Sequence, residues 1–158
     1  MRQHFAEIVH AEMAVNESVF VVTADMGYKM WDAVAQDYPR RFVNVGAAEQ
    51  LMIGVCAGMS LQGMIPIAYS ITPFLLMRPF ELLRTYVSHE RIKMILAGSG
   101  RGTDYAHDGI SHFAGDDAQV LKALPNITPY WPETHEALTV NFQAAVSGTG
   151  PSYINLRR

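Results

Sequence analysis

Apolar residues repeat along this chain with two alternating periods, which predict helices alternating with strands. The first repeat has helical spacing and involves Phe5, Ile8, Val9 and Met13. Residues 18–24 (SVFVVTA) then form a short apolar run that is typical of a buried strand. The chain therefore opens with a helix followed by a strand.

The same alternation continues to the end of the sequence. We predict further strands at residues 41–45, 65–69, 92–97, 127–130 and 152–156. We predict helices at residues 30–37, 47–61, 118–123 and 133–146, and a long helical stretch that ends near residue 89. This alternation indicates an α/β fold, a three-layer, doubly wound and mostly parallel six-stranded sheet, and residues 1–158 are expected to form one domain.

Ligands of such sheets bind at the carboxyl ends of the strands, so the segments that follow the strands are the candidate site. These segments contain Asp25, residues 46–49, residues 70–74, residues 98–112 and Trp131. One carboxylate in a helix and one long loop with two histidines therefore share the same predicted edge.

The helix acid, Glu49, is the strongest candidate for chemistry. It is the only acid in an apolar, small-residue segment, residues 44–63 (NVGAAEQLMIGVCAGMSLQG). Burial against apolar neighbours disfavours the charged form of an acid and is costly unless the acid has a dedicated partner. The alternative is a helix-terminal acid that the helix dipole stabilises by about 0.3–1 kcal/mol. The segment by itself leaves both interpretations open.

The long loop contains His107, Asp108 and His112, which favour contact with a substrate at the sheet edge. A metal site would need further ligands and supporting contacts, so no metal ligand is assigned to this chain. The glycines of residues 98–102 (GSGRG) lack the spacing of a P-loop or a dinucleotide-binding turn, and we interpret them as a flexible turn.

Three large apolar residues, Phe74, Met77 and Phe80, follow the third predicted strand at spacings of three residues. This period alone favours packing in the core.

Composition narrows the classes of partner. The 158 residues are 49% apolar, which is enough to bury a core without disulfides or metals. Twelve Lys and Arg against fifteen Asp and Glu give a formal charge of -3, so no broad basic face is available for nucleic acid or anionic lipid. We find no signal-peptide pattern and no apolar run for a membrane span, and the single Cys56 fits a reducing compartment. We therefore expect a cytoplasmic protein.

Three separated motifs resemble the pyrimidine-binding domain of transketolase-like thiamine diphosphate enzymes. They are NVGAAEQLMIGVCAGMSLQGMIPIA at residues 44–68, HDGISHFAGDDAQVLKALPNI at residues 107–127, and PSYINLR at residues 151–157. The first contains the Gly-x-x-Glu helix of that family. The second contains its Asp-Gly-x-Ser-His segment, followed by Leu-Pro-Asn. The resemblance covers nearly the whole chain and implies the fold of that domain.

The resemblance implies that Glu49 hydrogen-bonds a ring nitrogen of the cofactor's aminopyrimidine. Phe74, Met77 and Phe80 resemble the positions that stack on this ring, with Met77 at a position that is normally aromatic. Asp25, in the sequence TADMG, resembles a further cofactor-binding position, although less closely.

For the substrate, the resemblance implies that Asp108 and His112 bind hydroxyl and carbonyl groups and that His112 assists proton transfer. Arg2 resembles a family position less closely. The family's phosphate-binding His and Arg are replaced by Gly100 and by Trp131. We therefore expect an acceptor that lacks a phosphate or binds it through Arg101 or Arg78, because phosphate recognition depends on bidentate Arg.

Half of the family's cofactor site has no counterpart in this sequence. Nothing here resembles the GDG motif and following Asn that hold Mg²⁺ and the diphosphate, and nothing resembles the family's third, carboxyl-terminal domain. The resemblance thus implies the C-terminal-type subunit of a split transketolase and a diphosphate-binding partner subunit that holds Mg²⁺. A homodimer or heterotetramer is expected, with the isolated chain inactive.

We expect the assembly to transfer a two-carbon ketol unit from a ketose donor to an aldehyde acceptor. One alternative is a beta-like subunit of a 2-oxo acid dehydrogenase or decarboxylase. Asp108 favours transketolase because it suits a hydroxylated substrate. The other alternative is a non-catalytic assembly module that keeps the fold, and the presence of Glu49, Asp108 and His112 argues against it.

Overall fold

The six predicted strands are all present in the computed structural model, which describes residues 1–158. They are β1 (Val19–Thr23), β2 (Phe42–Asn44), β3 (Ile65–Ile71), β4 (Ile95–Ser99), β5 (Thr128–Tyr130) and β6 (Ser152–Leu156). They form one sheet in the order β2-β1-β3-β4-β6-β5, and every neighbouring pair is parallel. The predicted α/β fold is confirmed.

Helices connect the strands and cover both faces of the sheet. They are α1 (Arg2–Val15), α2 (Asp32–Asp37), α3 (Glu49–Leu61), α4 (Thr72–Met77), α5 (Phe80–Leu82), α6 (Asp117–Lys122) and α7 (His135–Ser147). A π-helix (Leu83–His89) continues α5, and two 3-10 turns (Ala106–Asp108 and Ile110–His112) lie in the loop after β4. We find no helix that is both long enough and apolar enough to cross a membrane.

The core consists of two layers, one on each face of the sheet. Successive strand residues point to opposite faces, so Ile67 and Tyr69 of β3 pack with α1 and α7, whereas Ala68 packs with α3 and the π-helix. Because both faces are covered, the four inner strands are buried on both sides and are recognisable as apolar runs, whereas the edge strands β2 and β5 are only partly buried.

Some predicted boundaries were wrong. The strand predicted at residues 92–97 runs from Ile95 to Ser99, because its ladder with β3 pairs those two residues with Ile67 and Ile71. The helix predicted from residue 30 begins two residues later, at α2, since a turn precedes it. The long helical stretch is divided at Pro79, which has no N–H to continue the hydrogen bonds of α4.

A buried polar network joins the carboxyl ends of the central strands. The Asn155 side-chain amide donates to Asp117 Oδ2 at 3.1 Å and to the Gly100 carbonyl at 3.2 Å. Asp117 Oδ2 also accepts from the Tyr153 hydroxyl and the Trp131 indole, each at 3.0 Å. Burial, followed by the charge of Asp117, raises the pKa of Tyr153. Neutral donors therefore satisfy this buried carboxylate without an ion pair.

A close approach between β4 and α4 extends this network. A Cβ atom at Gly98 would lie 2.7 Å from Thr72 Oγ1 and 3.0 Å from Tyr153 Cε2. The Thr72 hydroxyl donates to the Gly100 carbonyl at 2.7 Å and anchors the start of α4. Gly98, within β4, thus permits the packing that positions α4.

Replacement of Asp117 by alanine should destabilise the chain, because the buried donors of Tyr153 and Asn155 and the part-buried indole of Trp131 lose their shared acceptor. We expect Asp117→Ala to lower the free energy of unfolding by about 2–4 kcal/mol, measured by urea unfolding followed by circular dichroism. Asp32→Ala is the matched control, because Asp32 also lies in the first turn of a helix but is exposed. The control should lose less than about 1 kcal/mol; equal losses in the two variants would contradict the assignment.

Candidate active site

The carboxylate of Glu49 is buried at the start of α3, with the residue only 3% exposed. The Ser70 hydroxyl, near the end of β3, donates to Glu49 Oε1 at 3.0 Å. The Arg78 guanidinium, which follows α4, donates to Glu49 Oε2 at 2.8 Å. The acid thus has the dedicated partners that its burial requires.

An aromatic side chain and a histidine extend this group. The Arg78 guanidinium lies over the Phe74 ring, with Cζ 3.7 Å from the ring centroid. The Phe74 ring meets the His112 imidazole edge to face, with centroids 4.9 Å apart and an interplanar angle of 65°. Glu49, Arg78, Phe74 and His112 therefore form one continuous set of contacts, which we call the Glu49–His112 row.

Met77 and Phe80 lie outside the row, and Phe80 also packs against the core layer on the α3 side of the sheet. Both line an open cleft of about 520 Å³ together with residues at the start of α6 and along it. Met77 is 41% exposed, and Phe74 and Phe80 are half-buried. Core packing, which the spacing alone favoured, does not account for Met77.

Two predicted site residues do not contact the row. Asp108 is exposed, and its recorded side-chain contact is with His107, at 3.2 Å between carboxylate oxygen and imidazole nitrogen. Asp25 adopts a positive φ of 56° at the end of β1 and accepts a hydrogen bond from the Asn44 amide at 3.3 Å. Asp25 lines a separate cavity of about 400 Å³ between β1, β2 and α2.

The loop that carries Asp108 and His112 is held by Arg101. Its Nε donates to Asn155 Oδ1 at 2.7 Å, and its Nη2 donates to the carbonyls of Pro132 at 3.0 Å and Asn155 at 3.1 Å. Its Nη1 forms an ion pair with Glu133. Since these contacts use its donors within the chain, Arg101 does not match the expected phosphate ligand.

A second polar group lies between α1 and the same loop. Arg2 Nε donates to the Tyr69 hydroxyl at 3.0 Å, and the hydroxyls of Tyr105 and Ser99 are 2.9 Å apart. Burial raises the pKa of Tyr69. Burial by itself would lower the pKa of Arg2. The charge and the hydrogen bond of Tyr69 raise this pKa by more, so the net shift is upward.

The two partners of Glu49 were not predicted as such from the sequence. Ser70 was placed at the candidate edge, within residues 70–74, but without a role, and Arg78 was considered only as a phosphate ligand. The available signal was the expectation that a buried acid needs a partner, which directs attention to the polar residue at the end of the apolar strand β3. No group of three or more His, Cys, Asp or Glu side chains is placed to hold a metal ion.

The parallel sheet and the buried acid define an α/β domain with its candidate site at the carboxyl edge of the strands. The family model described as transketolase, pyrimidine binding domain, matches residues 1–158, and the chain belongs to this family. The resemblance inferred from the three sequence motifs is therefore confirmed.

Several similar proteins are themselves subunits or sections of transketolases. The chain is 28% identical over its full length to the putative transketolase C-terminal section of Methanocaldococcus jannaschii, covering 50% of that protein. It is 27% identical over its full length to a 6-deoxy-6-sulfo-D-fructose transketolase subunit of a Clostridium strain, covering 49% of it. A solved structure described as a split gene transketolase, inactive beta4 tetramer, has a TM-score of 0.87 at 28% identity, covering 99% of this chain and 51% of that one. The chain thus spans about half the length of these relatives.

Arg101→Ala should loosen the loop between β4 and α6, because the loop loses the contacts that fix it to β6 and to the segment after β5. We expect chymotrypsin to cleave the native variant within residues 102–116 about tenfold faster than wild type, because local opening controls cleavage. Limited proteolysis with mass spectrometry measures this rate. Arg84→Ala removes an exposed Arg of the π-helix and should leave the rate unchanged; an unchanged rate in Arg101→Ala would remove Arg101 from this role.

Proposed function

We propose that this chain is the pyrimidine-binding half of a split, transketolase-like, thiamine diphosphate-dependent transferase. In this proposal the assembly moves a two-carbon ketol unit from a ketose donor to an aldehyde acceptor. One observation carries it: the chain buries Glu49 at the carboxyl edge of the sheet and connects it, through Arg78, to Phe74 and His112. Membership of the transketolase family supports the same reaction class.

The residues of the row fit an aminopyrimidine ring. Such a ring needs a hydrogen-bonding acid at its edge and an apolar or aromatic surface against its face. Glu49 supplies the acid, and Phe74, Met77 and Phe80 supply the surface, since a thioether also contacts an aromatic face well. When bound, the cofactor supplies an electron sink for a carbanion. Glu49 would hold a proton at the ring nitrogen.

The substrate would approach the row from the loop after β4. In the proposal His112 moves a proton at the substrate's carbonyl oxygen, since an imidazole can serve as acid or base. Its contact with Phe74 places it next to the proposed pyrimidine surface. Asp108 binds a substrate hydroxyl, for which its exposed carboxylate is available. Asp25 contributes to the cofactor site from the neighbouring cavity.

A partner subunit is part of the proposal. The diphosphate and Mg²⁺ would be held by a diphosphate-binding transketolase subunit, and the assembly would be a homodimer or a heterotetramer. The relatives that are named as transketolase sections or subunits support a divided enzyme. The isolated chain would then be inactive. We place the assembly in the cytoplasm, because its single Cys56 is a free, buried thiol.

A beta-like subunit of a 2-oxo acid dehydrogenase is the second candidate. It would use the same Glu49 but needs no carboxylate for a substrate hydroxyl. The exposed Asp108 in the loop beside His112 favours the ketol transfer. A non-catalytic module would need neither the buried acid nor this loop.

Glu49→Gln should abolish activity although it barely changes side-chain size. We expect kcat to fall at least 100-fold in the complex reconstituted with the diphosphate-binding subunit, because the amide cannot exchange a proton with the ring nitrogen. A coupled ketol-transfer assay measures kcat, and circular dichroism confirms the fold. Gln50→Glu is the control, because it replaces an amide by a carboxylate at the adjacent, exposed position. Retention of more than half of the activity would contradict the role of Glu49.

Asp108→Asn should separate the two candidate reactions. If Asp108 binds a substrate hydroxyl, kcat/KM for a ketose donor falls about 10- to 100-fold, because a hydrogen bond to a charged group is lost. Turnover of a 2-oxo acid without hydroxyl groups should change less than twofold. Steady-state kinetics on both substrate classes measure this difference. An equal loss on both would argue against hydroxyl recognition.

A further inference from the structure

Arg78 fills the space between Glu49 and Phe74. Its guanidinium donates to the carboxylate at 2.8 Å and lies 3.7 Å from the centroid of the aromatic ring. A guanidinium is planar, with N–H donors at its edge and a weakly hydrated face. It therefore makes the same two kinds of contact that a bound aminopyrimidine would make here, a hydrogen bond to the acid and a stack on the ring.

The guanidinium and an aminopyrimidine ring cannot occupy this space together. Stacked carbon atoms have an optimal separation of about 3.5–4.0 Å, and Arg78 already lies at that distance from Phe74. A second flat group on the same face of Phe74 would overlap the guanidinium. Entry of the ring therefore requires Arg78 to leave.

The surroundings of Arg78 allow this movement. The side chain is 48% exposed. Its hydrogen bond and ion pair are with Glu49, and its cation–π contact is with Phe74. Its backbone lies at the end of α4, directly before Pro79, where the helix is interrupted. Rotation about the side-chain bonds would carry the charge into solvent while the backbone stays in place.

We propose that Arg78 is an internal competitor for the pyrimidine site. It neutralises the buried carboxylate of Glu49 before the cofactor binds, and the aminopyrimidine then displaces it. This inference rests on the proposed function, because it assumes that Glu49 receives the aminopyrimidine. The observed dissociation constant is then the intrinsic constant divided by the fraction of chains in which Arg78 has moved away.

The test compares Arg78→Ala with wild type in the reconstituted complex. Without cofactor, the variant should unfold about 3–6 °C lower, because Glu49 is left buried without a cation. Calorimetric titration should nevertheless give about a 3- to 10-fold lower dissociation constant for thiamine diphosphate. Arg84→Ala removes an exposed Arg of the neighbouring π-helix and should change neither quantity.

Two further variants keep the test decisive. Arg78→Lys keeps the positive charge but not the planar guanidinium, so its dissociation constant should lie between those of wild type and Arg78→Ala. If Arg78→Ala does not fold, a dissociation constant for Arg78→Lys below that of wild type carries the test. In a Glu49→Gln background, Arg78→Ala should shift the melting temperature by less than about 1 °C, because the ion pair is already absent.

The outcomes distinguish this inference from the function on which it rests. Suppose that the wild-type complex binds thiamine diphosphate and that both Arg78 variants bind it no more tightly than wild type. This result overturns the competitor role and leaves the proposed function intact. A wild-type complex that binds no thiamine diphosphate overturns the proposed function, and the competitor role with it.

Discussion

The hydrogen bond between Asn155 and Asp117 holds together the elements at the candidate functional edge. Asn155 belongs to β6 in the interior of the sheet, and Asp117 begins α6, immediately after the long loop. The same amide reaches the Gly100 carbonyl, which also accepts from Thr72 at the start of α4. The helix that carries Phe74 and the loop that carries the catalytic candidates are thereby fixed to one buried group. Removing a polar group from such a network leaves several others unsatisfied.

The chain buries two carboxylates at this edge and satisfies them in different ways. Asp117 accepts only from neutral donors, of which Tyr153 and Asn155 are fully buried. Glu49 accepts from one hydroxyl and from Arg78, a half-exposed cation that can withdraw. The first arrangement is fixed and supports the architecture. The second leaves the acid able to exchange one partner for another, which a binding site requires and a structural network does not.

The sequence predicted much of this molecule, and the remainder depended on contacts between distant segments. Apolar runs revealed β1, β3, β4 and β6 because these inner strands are buried on both faces, but the limits of β4 depended on its pairing with β3. Glu49 was identifiable as an isolated acid among apolar residues. Its partners were not, because Ser70 and Arg78 lie 21 and 29 residues away and meet it only after folding. Asp25 was placed at the correct edge but away from the row.

The strand order has a consequence for how the chain acquires its structure. The fifth strand, β5, pairs only with β6, and β6 is inserted between β4 and β5. During synthesis β5 therefore has no partner until the residues of the sixth strand have emerged, and Asn155 arrives with them. Parallel pairing over long separations is intrinsically slow. The polar network at the candidate site is consequently completed last, and partly made chains expose an unpaired strand that favours association with other chains.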